Sequence, residues 1–195
     1  MTINICKRAK LLRTKLLNLM FRLVDITFGH FPEVLHHNHR FIPERGMMKI
    51  TLFLEKEPQR IESEAWEKLW QIFPHLRDHQ CRGNLCTTQF GQLNQVNSSL
   101  PIILTGDSID LVHLLEHLII DLQCTIQGMN VCSGITCNYK QPPNKYDIFV
   151  ECLDRRVGFL TVILAIDILQ SILHCTPRLS QCALLIQRAA DFCHG

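Results

Sequence analysis

The sequence of 195 residues lacks the cysteine motifs of several familiar protein classes. Its ten cysteines form no C-x-x-C pair, and the closest spacings are Cys81 to Cys86 and Cys132 to Cys137. This leaves no cysteine motif of the zinc-ribbon or thioredoxin kind. No cleavable signal peptide is evident, so we expect reduced, mostly buried thiols in a cytoplasmic protein, with a disulfide framework as the minor alternative.

A strong net charge and long apolar runs are also missing. Twenty basic and 18 acidic residues give a formal net charge of +2, far from the basic balance of a nucleic-acid binder. The longest apolar stretch, residues 157–173, is interrupted by polar residues and glycine, whereas about 18 apolar residues are needed to span a bilayer. We therefore expect neither a nucleic-acid partner nor a membrane protein. The 47% hydrophobic and 19% charged residues are typical of an ordinary globular protein.

The first 46 residues differ in composition from the rest, and we assign residues 1–46 to an extension. In residues 7–22, lysines and arginines alternate with leucines, which predicts a basic amphipathic segment. Such a segment can be a solvated helix packed on the domain, a contact to a membrane surface or an acidic partner, or a segment that resembles a targeting peptide. A histidine-containing tract follows, at His36, His37 and His39. The compact domain is expected over residues 47–195.

The periodicity of the compact domain predicts a small sheet packed against helices. Strands are expected at residues 48–54, 129–138 and 146–153. Helices are expected at residues 61–73, 109–127 and 154–174, and from Pro177 to about residue 192. Asp107 or Ser108 can cap the second helix, and Gly128 can end it. Because no regular βαβ repeat appears, we expect an α+β fold with a mixed or antiparallel sheet and two carboxy-terminal helices.

The pentapeptide His113-Leu114-Leu115-Glu116-His117 in the second helix carries the most informative chemistry. Residues three and four apart share a helix face, so the two imidazoles and the carboxylate converge. The pattern H-x-x-E-H is the inverted zinc-hydrolase motif. Two neutral imidazoles can bind zinc, and the carboxylate can take a proton from water that the metal activates. A chance match is the alternative, because the chain contains ten histidines.

A catalytic zinc usually has three protein ligands, so the third must come from another element. Glu151 is the strongest candidate because it lies in an otherwise apolar strand, where an unpaired carboxylate is costly. The alternative is a structural Glu151 that faces solvent or pairs with Arg155 or Arg156.

Three further residues are weaker candidates near this site. Asp121, one turn after His117, is suited to orient an imidazole as a hydrogen-bond acceptor. His79 could donate to a developing oxyanion or bind the metal, although a structural histidine is the commoner case. Cys152 could also serve as a ligand.

Three segments of the sequence share their order and spacing with one known family. Residues 106–123, followed by Gly128-Met129-Asn130-Val131, are similar to Gly-Thr, H-[VL]-x-E-H-x-[AI]-x-[ED]-L-Q and Ala-Gly-Met. Residues 146–151 are similar to Tyr-x-Val-Val-Phe-Glu, and residues 73–81 to Leu-Pro-x-Leu-x-Glu-His-x-Cys. The chain therefore resembles the amino-terminal domain of cyanophycin synthetase over roughly residues 48–193.

The resemblance implies a stand-alone homologue of a metallopeptidase-like domain. The synthetase joins Asp and Arg into a polymer with ATP-grasp and Mur-ligase-like domains, which have no counterpart here, and the chain has no P-loop. In some members the first domain resembles a peptidase that cuts the polymer into primers. The resemblance implies His113, His117 and Glu151 as metal ligands and Glu116 as the general base. The expected partners are a peptide or polymer substrate, the synthetase, and further copies of the chain in a homo-oligomer.

One segment departs from the family pattern. Where the family has Gly-Phe-Gly-[KR]-Thr-Arg, this chain has Cys132-Ser133-Gly134-Ile135-Thr136-Cys137-Asn138, so both basic positions near residues 135–138 are lost. We expect these positions beside the site, where they could hold an acidic group of the substrate. Their loss favours the alternative of a non-catalytic module that binds cyanophycin or the synthetase. The first expectation remains a zinc-dependent hydrolase that cleaves an amide bond.

Overall fold

The computed structural model describes residues 20–35, 37–38, 40–55, 63–81, 86–87, 100–101, 111–128, 132–173 and 179–194. Most of the predicted basic segment lies outside these residues, as do His36, His39 and the possible helix caps Asp107 and Ser108. The fold is α+β, as predicted, with a sheet packed against helices.

Seven strands are present among the described residues. They are β1 (Phe21–Gly29), β2 (Met47–Leu54), β3 (Gln80–Cys81), β4 (Cys86–Thr87), β5 (Leu100–Pro101), β6 (Gly134–Asn138) and β7 (Lys145–Glu151). The main sheet has the order β1-β2-β7-β6-β4, in which the first four strands are antiparallel and β4 is parallel to β6. Strands β3 and β5 form a separate antiparallel pair. The predicted small mixed sheet is confirmed.

Five α-helices lie in the described parts of the chain. They are α1 (Pro32–Leu35), α2 (Ser63–Ile72), α3 (Leu111–Gln127), α4 (Arg155–Leu173) and α5 (Leu179–His194). A 3₁₀ turn, Pro74–Asp78, follows α2. Helix α3 ends at Gly128, whose φ of 63° is a left-handed conformation that glycine adopts without steric cost. The two predicted carboxy-terminal helices correspond to α4 and α5.

Strand β1 lies inside the segment that the sequence assigned to an extension. It pairs with β2 from Phe21, opposite Leu54, to Gly29, opposite Met47. The pairing shifts register between Leu23 and Asp25, so the apolar residues do not alternate evenly along the strand. This irregularity hid the strand from the periodicity analysis. Residues 21–29 therefore belong to the sheet.

The main sheet has two faces, and side chains alternate between them along each strand. The inner face, which carries Ile148 and Val150 on β7, packs against the helices in the larger hydrophobic core. The outer face, which carries Asp147, Phe149 and Glu151, lies under the segment around α1. A smaller apolar cluster fills this outer side, with Val34, Phe41, Met47, Ile135, Cys137 and Phe149 buried together.

Helix α4 is long and apolar enough to cross a membrane, with a mean hydropathy of 1.8. However, 61% of its most apolar window is buried inside the fold. This burial is typical of a core helix, and no membrane protein is indicated.

Candidate metal centre

Three of the predicted site residues converge on one face of α3. His113, Glu116 and His117 each offer a ligand atom that lies within 4.8 Å of the others. The Nε2 atoms of the two histidines are 3.2 Å apart. Two nitrogen ligands of a tetrahedral zinc, each about 2.0–2.1 Å from the metal, are separated by about 3.3 Å. The donor atoms and their spacing therefore fit a bound metal ion.

Burial shapes the protonation of this cluster. Glu116 is 4% exposed and His117 is 6% exposed, whereas His113 is half-buried. Burial raises the pKa of the Glu116 carboxyl group. Burial also lowers the pKa of His117 well below its usual value, and the neighbouring His113 and His79 lower it further. A neutral imidazole is the form that binds a metal, and a carboxyl group with a raised pKa is suited to accept a proton near neutral pH.

Strand β6 holds the Glu116 carboxylate from the sheet. The hydroxyl group of Thr136 donates a hydrogen bond to Glu116 Oε2, at 2.5 Å. Gly134 provides the space, since a Cβ at this position would lie 2.8 Å from Glu116 Oε1 and 3.0 Å from Ile120 Cδ1. Neither Thr136 nor Gly134 is among the site residues predicted from the sequence. The sequence did contain an indication of their role, because Gly134 and Thr136 match the second glycine and the threonine of the family segment Gly-Phe-Gly-[KR]-Thr-Arg.

His79 and Asp121, the two weaker candidates, extend the cluster along α3. His79 Nδ1 lies 3.1 Å from His117 Nδ1, and His79 Nε2 lies 3.2 Å from Asp121 Oδ1. The 3₁₀ turn that precedes His79 is anchored by Leu76, which is 1% exposed. The ring of His117 therefore has His113 at one nitrogen and His79 at the other.

Glu151 is buried, as predicted, but it lies on the outer face of the sheet, away from α3. Its Oε2 is 3.0 Å from Nη1 of Arg45, and its carboxylate accepts the backbone N–H groups of Ile42, at 2.7 Å, and Ser133, at 3.2 Å. The structure therefore does not bring Glu151 into the metal cluster, and Cys152 is also outside it. An ion pair was the alternative left open by the sequence, although the partner is Arg45 rather than Arg155 or Arg156.

The position of residues 135 and 137, where the family has basic residues, also differs from the prediction. Ile135 and Cys137 are buried on the outer face with Phe149. Gly134 and Thr136, which alternate with them along β6, face Glu116 on the inner side. Side chains at positions 135 and 137 therefore point away from the cluster. The expectation that these positions lie beside the site does not hold, because strand alternation places them across the sheet.

Comparison with known families agrees with this architecture. The sequence profile of the cyanophycin synthase-like N-terminal domain matches residues 47–174. The matched region contains the cluster residues and their supports on β6, whereas β1 and α5 lie outside it. No curated protein matches the chain significantly. Since the matched region makes up about two thirds of the sequence, the chain belongs to the family of cyanophycin synthase-like N-terminal domains.

Proposed function

We propose that the protein is a zinc-dependent hydrolase that cleaves an amide bond in cyanophycin or a related peptide. The observation that carries this proposal is the cluster on α3, where two imidazole nitrogens 3.2 Å apart adjoin the buried Glu116 carboxylate. Membership of the family supports the choice of substrate. His113 and His79 are partly exposed among the described residues, which supports access of a substrate to the cluster.

Each residue of the cluster has a distinct role in the proposed reaction. His113 and His117, whose Nε2 atoms lie 3.2 Å apart, would hold the metal. Zinc supplies a Lewis acid that polarises the amide carbonyl and makes water a stronger acid. Glu116 accepts the proton of the attacking water and returns it to the leaving amine. Thr136 holds one oxygen of the Glu116 carboxylate, which leaves the other oxygen to exchange the proton.

His79 and Asp121 orient His117 from the opposite side. When Nε2 of His117 binds the metal, its Nδ1 carries the proton and donates it toward His79 Nδ1, 3.1 Å away. His79 Nε2 then carries a proton toward Asp121 Oδ1, 3.2 Å away. This chain fixes the tautomer and the ring orientation of a metal ligand, which is the usual task of such partners. The cluster found among the described residues consists of His113, Glu116 and His117, so with Glu116 acting as the base it supplies two protein ligands for the metal.

We also propose a cellular location and binding partners for the protein. The four cysteines whose state the structure describes, at positions 124, 132, 137 and 152, form no disulfide with the described residues, which supports a cytoplasmic location. The partners that we propose are the polymer or a peptide derived from it, cyanophycin synthetase, and further copies of this chain in a homo-oligomer.

Metal analysis tests the first half of the proposal. We expect about one zinc per chain in protein prepared with zinc, and loss of that zinc in the double variant His113→Ala/His117→Ala. His75→Ala is the matched control, since His75 is an exposed histidine of the neighbouring 3₁₀ turn and should leave the zinc content unchanged. A wild-type protein that is fully stable and binds no zinc would contradict the proposal.

Hydrolysis of cyanophycin tests the second half. Glu116→Gln keeps the shape of the side chain but cannot accept the proton, so it should keep zinc and lose the release of soluble peptides. Equal release by the variant and the wild type would exclude Glu116 as the base. If zinc-loaded wild-type protein sediments with cyanophycin but releases nothing from it, the non-catalytic binding module is the correct function.

A further inference from the structure

An apolar groove lies between β1, α4 and α5, separate from the metal cluster. It encloses about 730 Å³, and its walls include Phe28 of β1, Phe159 of α4 and Leu185 of α5. Phe159 is 53% exposed and Leu185 is 41% exposed, and the adjacent Leu184 is 48% exposed. Large apolar side chains that remain together at the surface mark an interaction site rather than a part of the core.

Arginine side chains line the same groove. Arg155 and Arg156 belong to the first turn of α4, and Arg188 belongs to α5. Arg156 pairs with Asp154, whereas Arg155 and Arg188 form no ion pair with the residues that the structure describes. On each helix an arginine lies one turn from an exposed apolar residue, Phe159 or Leu185. The groove therefore combines an apolar floor with a positive rim.

The charge and shape of the groove limit what can occupy it. Residues 1–19 of this chain carry five basic and no acidic residues, so like charge disfavours docking of this segment. A two-fold contact between copies would place the arginine rims against each other. A small ligand usually has about 70–90% of its surface buried, which these half-exposed walls do not provide.

We propose that this groove binds an amphipathic helix with acidic flanks from a partner protein. The apolar face of such a helix would cover Phe159 and Leu185, and its carboxylates would pair with Arg155 and Arg188. Strand β1 and helix α5, which provide two of the three walls, lie outside the residues that the family profile matches. Two walls of the groove therefore lie outside the matched region, and the groove is independent of the proposed hydrolase activity.

Fluorescence anisotropy with labelled designed peptides tests this proposal on the full chain. The probe is an 18-residue amphipathic helix with leucines spaced three and four apart and glutamates on both flanks. One control has lysine in place of every glutamate, and the other has the same composition in scrambled order. We expect the acidic helix to bind at least about tenfold more tightly than either control, because only it offers both an apolar face and a complementary charge.

Variants of the groove separate its two components. Arg155→Glu/Arg188→Glu should reverse the preference toward the lysine peptide, and Phe159→Ser/Leu185→Ser should abolish binding of both peptides. Lys140→Glu and Leu153→Ser are matched controls, since both residues are exposed and neither lines the groove. Equal binding of the acidic and scrambled peptides would overturn the proposal. A dimer of the free protein that Phe159→Ser dissociates would also overturn it, because the occupant would then be a second copy.

Discussion

Glu116 on the inner face and Glu151 on the outer face are both buried, but among the described residues only Glu151 pairs with an arginine or lysine. Glu151 is 0% exposed and pairs with Arg45 while two backbone N–H groups complete its hydrogen bonds. Glu116 is 4% exposed and contacts a hydroxyl group and imidazoles. A buried carboxylate needs compensation for its lost hydration. Glu151 has this compensation within the fold, whereas Glu116 has a hydroxyl group beside it and two histidines with which it could hold a metal ion.

A second pair of buried carboxylates shows the same difference between the faces. On the outer face, Asp147 accepts hydrogen bonds from Thr51 and Tyr139 and lies 3.1 Å from the ammonium group of Lys49. On the inner face, Asp121 contacts the imidazole of His79. The outer carboxylates are thus paired with lysine or arginine, and the inner ones with a hydroxyl group and imidazoles. This difference supports the metal site that we propose on the inner face.

The largest expected effect comes from removing the cation of the outer face. Arg45→Met leaves the Glu151 carboxylate buried without its ion pair, and we expect a loss of about 3 kcal/mol in the free energy of unfolding. Urea denaturation of the variant and the wild type measures this loss. Zinc content should not change, because Glu151 lies across the sheet from the cluster.

Arg156→Met is the matched control for this experiment. Its ion pair with Asp154 is exposed, so the loss should be below about 1 kcal/mol. Equal losses in the two variants would show that burial does not distinguish these pairs. A loss of zinc in Arg45→Met would instead connect Glu151 to the metal site.

Elements with a regular pattern of apolar residues were predicted correctly from the sequence. The apolar stripe and the glycine stop of α3 located the helix that carries His113, Glu116 and His117, and β7 was recognised from its run of apolar residues. The burial of Glu151 was also predicted correctly. Its partner was not, because Arg45 lies more than a hundred positions earlier, and only the strand register shows which face Glu151 occupies.

Supporting residues were harder to predict than the cluster itself. Thr136 and Gly134 act through their contacts with Glu116, and nothing in their local sequence shows that α3 packs over β6. The same strand alternation that places them at the site removes positions 135 and 137 from it. The residues that converge on one helix could therefore be predicted from their spacing in the sequence. Contacts between a helix and a strand could be identified only from the structure of the sheet.

An intermediate effect is expected from filling the space beside Glu116. Gly134→Ala places a Cβ 2.8 Å from Glu116 Oε1, so the carboxylate or the strand must move. We expect a loss of about 1–3 kcal/mol in the free energy of unfolding, together with weaker zinc binding. Gly29→Ala is the control because its Cβ would meet no atom closer than 3.9 Å, and it should change stability by less than about 0.5 kcal/mol. Unchanged zinc affinity in Gly134→Ala would show that Glu116 does not need its present position.

The smallest expected effect concerns Tyr139, which donates a hydrogen bond to Asp147 at 2.6 Å on the outer face. Burial and this hydrogen bond raise the pKa of Tyr139 from 10.0 to about 12. The folded state thus holds the phenol proton more tightly than the unfolded state does. The resulting contribution to stability is complete below pH 10 and is lost as the pH rises toward 12.

Tyr139→Phe should therefore lose less stability than the wild type between pH 10 and 12, as measured by the urea midpoint at several pH values. The effect is small because Tyr139 is only partly buried, and because Lys49 already compensates the charge of Asp147. The same pH dependence in both proteins would show that the hydroxyl group adds nothing to this carboxylate. Asp147 would then depend on Lys49 and on the hydroxyl group of Thr51, and the cation of the outer face would distinguish it still more sharply from Glu116.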